Sequence, residues 1–137
     1  YCGLTQGISM RPIIHSGRDT IVVVKNHDRL KKYDVPVYQL RSGKYVMHRI
    51  IEVHYDHYII VGDNLTNREY VTDDMICGKL VGYFRRGKKY IDCDKNKLYR
   101  LYAHIWVALM PIRPLTIFMN RCVCYIENHF LKRNGRD

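Results

Sequence analysis

The sequence predicts a mainly β chain: a compact antiparallel sheet or folded barrel, followed by two C-terminal amphipathic helices. Three observations carry this. From Ile8 to about Cys93, short runs rich in Val, Ile and Tyr alternate with turn residues, which is strand patterning. The turns at Arg41-Ser42-Gly43, Tyr55-Asp56, Gly62-Asp63-Asn64 and Arg86-Gly87 leave little chain for helices between the strands, so successive strands are expected to pair antiparallel. After Asn96 the apolar spacing changes to that of a helix.

The expected strands are Thr20–Lys25, Asp34–Leu40, Lys44–Val53, His57–Gly62, Ile76–Arg85 and a weaker Tyr90–Cys93. Leu98, Leu101, Tyr102, Ile105, Trp106 and Leu109 follow the i, i+3, i+4, i+7, i+8, i+11 pattern of one helix face, and Pro111 and Pro114 end that helix. Leu115, Phe118, Met119, Cys122, Val123, Ile126 and Phe130 repeat the spacing, so a second helix is expected to about Lys132, with Arg133–Asp137 a frayed tail. This divides the chain into a β-rich domain, residues 1–94, and a helical extension, residues 95–137.

With 137 residues the chain has the size of one ordinary domain and can bury a core without disulfide staples. Its five cysteines, Cys2, Cys77, Cys93, Cys122 and Cys124, are odd in number and lack CxxC pairing, so they read as small apolar residues rather than a disulfide framework or a zinc site. No metal or organic cofactor is expected. The net charge of +10 favours anionic neighbours, among them an anionic membrane surface. No run approaches the 18–20 apolar residues needed to span a bilayer. Because the chain begins at Tyr1 and its first motif follows within ten residues, any anchor is expected upstream. The chain is therefore expected at a membrane if such an anchor exists, and in the cytoplasm otherwise.

The stretch that bears on chemistry is Gly7-Ile8-Ser9-Met10-Arg11-Pro12, followed by Ser16-Gly17-Arg18-Asp19-Thr20 leading into Ile21-Val22-Val23-Val24. Downstream come Val46-Met47-His48-Arg49-Ile50-Ile51, Val61-Gly62-Asp63-Asn64 and Ile76-Cys77-Gly78-Lys79-Leu80-Val81-Gly82. A serine hydroxyl becomes a nucleophile only beside a base, and neutral imidazole is the side chain suited to take its proton near pH 7. Ser9, His48 and a carboxylate on neighbouring strands could form such a set.

In this order the five motifs resemble the signal peptidase I superfamily, which shares the LexA-like peptidase fold; the resemblance covers about Gly7 to Tyr83. A bacterial signal peptidase places a lysine before the arginine, whereas His48-Arg49 is similar to the serine–histidine type of the endoplasmic reticulum and archaea. The resemblance implies Ser9 as nucleophile, His48 as general base, and Met10 and Pro12 flanking the substrate. It implies a carboxylate from Asp63, which holds the matched motif, or from Glu69, a few residues further on, and it leans to Asp63. The substrate is expected to be a peptide or precursor protein, cleaved as a leader- or signal-like segment.

Two departures stand out: Gly7 occupies the place where lysine-type enzymes often put an oxyanion-hole hydroxyl, and Tyr33-Asp34 replaces Gly-Asp. Lys44 offers a rival base, but it follows Ser42-Gly43 in a turn where lysine is usually solvated. His15, His27, His54, His57, His104 and His129 lack metal-ligand spacing. The alternative function is a non-catalytic or autoproteolytic LexA-like module whose basic surface binds a partner. Nucleic acid is not the expected partner, since Arg85-Arg86-Gly87-Lys88-Lys89 reads as one charged hairpin rather than a helix-turn-helix. The helices either pack on the core or lie at a membrane, with Tyr102, Trp106 and Phe118 at the headgroups and Arg100, Arg113, Arg121, Lys132 and Arg133 facing anionic lipid.

Overall fold

The computed structural model describes residues 2–4, 6–115, 118, 119, 122, 125 and 126. The architecture is mainly β, with antiparallel sheets, one of them curled into a half-barrel, and short helices. The strands are β1 (Cys2–Leu4), β2 (Thr20–Val24), β3 (Pro36–Gln39), β4 (Tyr45–Met47), β5 (Arg49–Val53), β6 (Tyr58–Val61), β7 (Glu69–Val71), β8 (Ile76–Arg85) and β9 (Lys89–Asp92). Helix α1 (Lys97–Ala108) follows. The chain forms two compact units, Tyr1–Val107 and Ala108–Asp137, so α1 belongs with the strands. In the second unit, described positions from 113 to 126 are helical, while the rest of the helix expected to Lys132 and the tail Arg133–Asp137 lie outside the described residues.

The larger sheet runs β1-β2-β8-β3-β4, with β9 also paired to β8, and the smaller runs β5-β6-β7; every pairing is antiparallel. The long β8 pairs with β3 through Ile76–Lys79 and with β9 through Gly82–Arg85. Its glycines permit this crowding: a Cβ on Gly78 would stand 2.8 Å from the Val24 carbonyl oxygen, and one on Gly82 2.7 Å from that of Ile91.

Alternation along β3 divides the interior in two. Val37 packs against a core of Met10, Ile14, Ile21, Leu80, Tyr83 and neighbours, whereas Tyr38 turns into a core of Leu30, Ile50, Tyr58, Ile60 and Val71. The single strand expected over Lys44–Val53 is broken at His48, because β4 belongs to the larger sheet and β5 to the smaller. No turn residue marks the break in the sequence. His48 sits where the chain passes from one sheet to the other.

Helix α1 begins within two residues of its expected start and is rotated from the expected orientation, so that only Tyr102 and Trp106 of the expected face turn inward. Tyr99 and Ala103 are buried, Tyr102 and Trp106 half-buried, and Leu98, Leu101 and Ile105 exposed. The aromatic tips on the inward side hydrogen-bond to a buried ion pair, and this outweighs the aliphatic stripe in setting the helix rotation. Tyr102 and Trp106 are thus engaged within the protein, not free for lipid headgroups. Of the cysteines, Cys93 is buried as expected, where burial pushes its thiol up to about 12, while Cys2, Cys77 and Cys122 are free and exposed.

Candidate functional site

A cleft of about 500 Å³ brings Ser9, His48 and Glu69 onto one lining, over an apolar floor that includes Met10, Ile21, Val37 and Met47. Three pieces of chain carry these three side chains: the turn ahead of β2, the junction of β4 with β5, and the start of β7. Gly7, with φ +95°, enters that first turn in a conformation glycine adopts at little cost. The His48 end is closely fitted. A Cβ on Gly62 would lie 2.9 Å from the Ser9 carbonyl oxygen and 3.0 Å from His48 Cδ2, so both residues press against one glycine.

His48 is buried, with its Nδ1 3.2 Å from Glu69 Oε2 and 3.0 Å from the Tyr38 hydroxyl. The Tyr38 hydroxyl donates to Glu69 Oε2. Burial and then the Glu69 hydrogen bond raise the phenol far above its usual range, so it stays a donor. Its own proton is committed to Glu69, and the carboxylate can only accept, so Nδ1 carries the imidazole proton. That leaves Nε2 as the lone-pair nitrogen of the neutral ring. Burial lowers the His48 pKa from the ordinary imidazole value of 6.5, while the charge and hydrogen bond of Glu69 partly oppose it. The ring is therefore mainly neutral at pH 7, the protonation state that a general base requires.

Asp63, which its place in the motif favours as the partner of His48, is turned elsewhere. Arg49 Nε and Nη2 donate to its two carboxylate oxygens at 2.8 and 2.7 Å, both side chains being essentially inaccessible. Burial disfavours the charged guanidinium, and the adjacent Asp63 more than reverses this, holding Arg49 charged. Arg49 also donates to the Tyr33 carbonyl and the Tyr99 hydroxyl. Asp63 thus anchors the interior, and Glu69 is the carboxylate that touches the imidazole.

Met10 lines the cleft and belongs to the core, whereas Pro12 is exposed and is not among the described residues that line it. Lys44 also reaches the rim, but it is exposed and lacks the dry pocket that a lysine base needs. Asp19 is fully buried and is the fixed point of the turn leading into β2. Burial alone would raise its carboxyl, but hydrogen bonds from Arg18, the His15 N–H and the Arg86 N–H, with the Arg18 charge, bring it to about 2.

Tyr38 is the site residue that sequence reasoning missed: its alternation in β3 marks it only as inward-facing, and nothing local ties it to a histidine ten residues on. A larger hollow of about 560 Å³, between the loop around Arg29–Asp34 and α1, has no serine among the described residues that line it, and its histidine, His104, bonds the Arg100 carbonyl rather than a carboxylate. Among the described residues no group of three or more His, Cys, Asp or Glu side chains is arranged to hold a metal ion, and no helix is long and apolar enough to cross a membrane. Comparison with protein-family models, with curated proteins and with solved structures finds no match to this chain.

Proposed function

We propose that this chain is a serine endopeptidase of the signal peptidase I type, with the LexA-like fold, that cleaves leader- or signal-like peptides. The observation that carries the reading is one cleft lined by Ser9 and by a buried, neutral His48 whose Nδ1 is engaged by Glu69. The ordered motifs from Gly7 to Tyr83 support it independently. Ser9 Oγ attacks the scissile carbonyl as its proton passes to His48 Nε2, and His48 returns that proton to the leaving amine. Water then repeats the sequence on the acyl-enzyme. Glu69 fixes the imidazole tautomer and stabilises the imidazolium, assisted by Tyr38. With Gly7 supplying no hydroxyl, the Ser9 N–H is the candidate oxyanion donor.

Strand β4 lies at the end of the larger sheet and leads into His48, so an extended substrate can pair along it with its side chains over the apolar floor. The exposed Leu98, Leu101 and Ile105, together with the net charge of +10, favour work at an anionic membrane surface on membrane-borne precursors.

The expected result for Ser9→Ala is loss of cleavage of a peptide carrying an apolar, small-residue cleavage motif, with an unchanged circular dichroism spectrum and unfolding midpoint. The half-exposed hydroxyl contributes little to stability, so the fold should not register its removal. Undiminished cleavage by the alanine variant would rule out Ser9 as the nucleophile, whereas a basic module that binds partners equally well with and without Ser9 and cleaves nothing would favour the non-catalytic alternative.

A further inference from the structure

We propose that helix α1 is a positioning element for Ser9 and His48, acting through the peptide plane that joins Asp63 to Asn64. The inference rests on the peptidase reading above, but it concerns different atoms. Trp106 Nε1–H donates to the Asp63 carbonyl oxygen at 2.7 Å, and the Asn64 N–H, at the other end of the same peptide, donates to the Ser9 carbonyl oxygen at 2.8 Å. A trans peptide is rigid and planar, with its C=O and N–H pointing opposite ways. The indole, this peptide and the backbone of the nucleophile therefore form one hydrogen-bonded chain, whose members polarise one another. Tilting the peptide at the Trp106 end moves the donor that holds Ser9.

The same helix grips the carboxylate of Asp63. Tyr102 donates its hydroxyl proton to Asp63 Oδ2 at 3.0 Å and stacks on Trp106 with ring centroids 5.5 Å apart. Tyr99 accepts from Arg49, the residue directly after His48, and the Arg49 guanidinium lies over the Tyr99 and Tyr102 rings. Nucleophile and base are thus held through one ion pair, Arg49–Asp63, clasped from the helix side by three aromatic residues. The contact of Gly62 with both Ser9 and His48 leaves little slack at this junction. A helix that merely stapled itself to the sheet would need none of its bonds to end on the peptide that holds Ser9.

The test uses Trp106→Phe and Tyr102→Phe in the full chain, each removing one donor while keeping a ring. Ser9 reactivity is read as the labelling rate with a fluorophosphonate, under conditions where circular dichroism shows each protein folded. The Asn64 amide and His48 ring resonances are followed by NMR. The expected result is labelling about 10- to 100-fold slower in Trp106→Phe, since a displacement of about 1 Å at a reacting group can cost 10²-fold, with a smaller loss in Tyr102→Phe and shifted Asn64 and His48 resonances in both. Because Trp106 is the sole tryptophan, its emission in the parent should also change when Ser9 is labelled, a readout that needs no variant.

Parent-like labelling rates with resonance changes confined to α1 would overturn the positioning role and leave the peptidase reading intact. A folded parent that never labels would overturn the peptidase reading instead. In that case the Asn64 and His48 resonances decide the coupling: shifts in Trp106→Phe support it, and their absence overturns it.

Discussion

Glu69→Gln is expected to lower peptide turnover by about 10²–10⁴-fold with the fold unchanged, the upper figure being that for the same exchange in a well-studied serine protease triad. Glu69 Oε2 accepts hydrogen bonds from both the His48 Nδ1–H and the Tyr38 hydroxyl. An amide there loses the charge that stabilises imidazolium and can offer an N–H to Nδ1, selecting the wrong tautomer. The Glu69 side chain keeps about a third of its surface in solvent (32%), which places the effect below that of a fully enclosed carboxylate. The pH profile gives a second readout with a definite sign. Glu69 raises the His48 pKa against the lowering by burial, so removing its charge moves the midpoint of the rising limb to lower pH even as the plateau falls. Steady-state turnover measured against pH for both proteins checks both directions.

The second large effect falls on stability. Asp63→Asn is expected to destabilise the protein by about 3–5 kcal/mol, the range for removing one partner of a buried ion pair. The variant leaves the Arg49 guanidinium charged and fully enclosed, with only a neutral acceptor in place of a carboxylate. For a domain of ordinary stability, about 5–15 kcal/mol, this is a large fraction of the total. Urea unfolding at pH 7 should show a much lower midpoint for Asp63→Asn and a near-parental one for Glu69→Gln. The two carboxylates then separate cleanly: one mainly holds the structure, the other mainly supports turnover. Similar stability losses in both variants would show that this division is wrong.

The contrast between Asp63 and Glu69 also marks how far the site was legible in the sequence. Ser9, His48 and the strands around them could be placed from motif order and from runs of Val, Ile and Tyr, because those signals are local, although Ser9 lies in a turn and His48 in the break between β4 and β5. The carboxylate in contact with His48 could not. Glu69 reaches His48 because β7 pairs with β6 in the register Ile60 opposite Glu69, and a three-residue strand leaves almost no periodic trace. Asp63 looked equally qualified because its motif is strong, yet the strength of that motif reflects a buried ion pair.

Helix α1 teaches a similar lesson. Its existence and length followed from spacing, but its rotation followed only in part: Tyr102 and Trp106 of the expected face turn inward, whereas Leu98, Leu101 and Ile105 stay exposed and Tyr99, off that face, is buried. Partners such as Arg49 and Asp63, distant along the chain, set that rotation by supplying hydrogen bonds that only aromatic residues with polar tips could accept or donate.

The peptidase reading depends on Ser9 being activated by His48. The most direct measurement is mass-spectrometric mapping of fluorophosphonate labelling on the folded protein as a function of pH. The predicted result is a single adduct on Ser9, absent from Ser9→Ala, whose rate rises with pH to a plateau with its midpoint below the ordinary imidazole value of 6.5, as the lowered His48 pKa requires. Labelling that persists without Ser9, no labelling of the folded parent, or a rate that rises only above about pH 8.5–9, in the range of an amine or thiol, would contradict it.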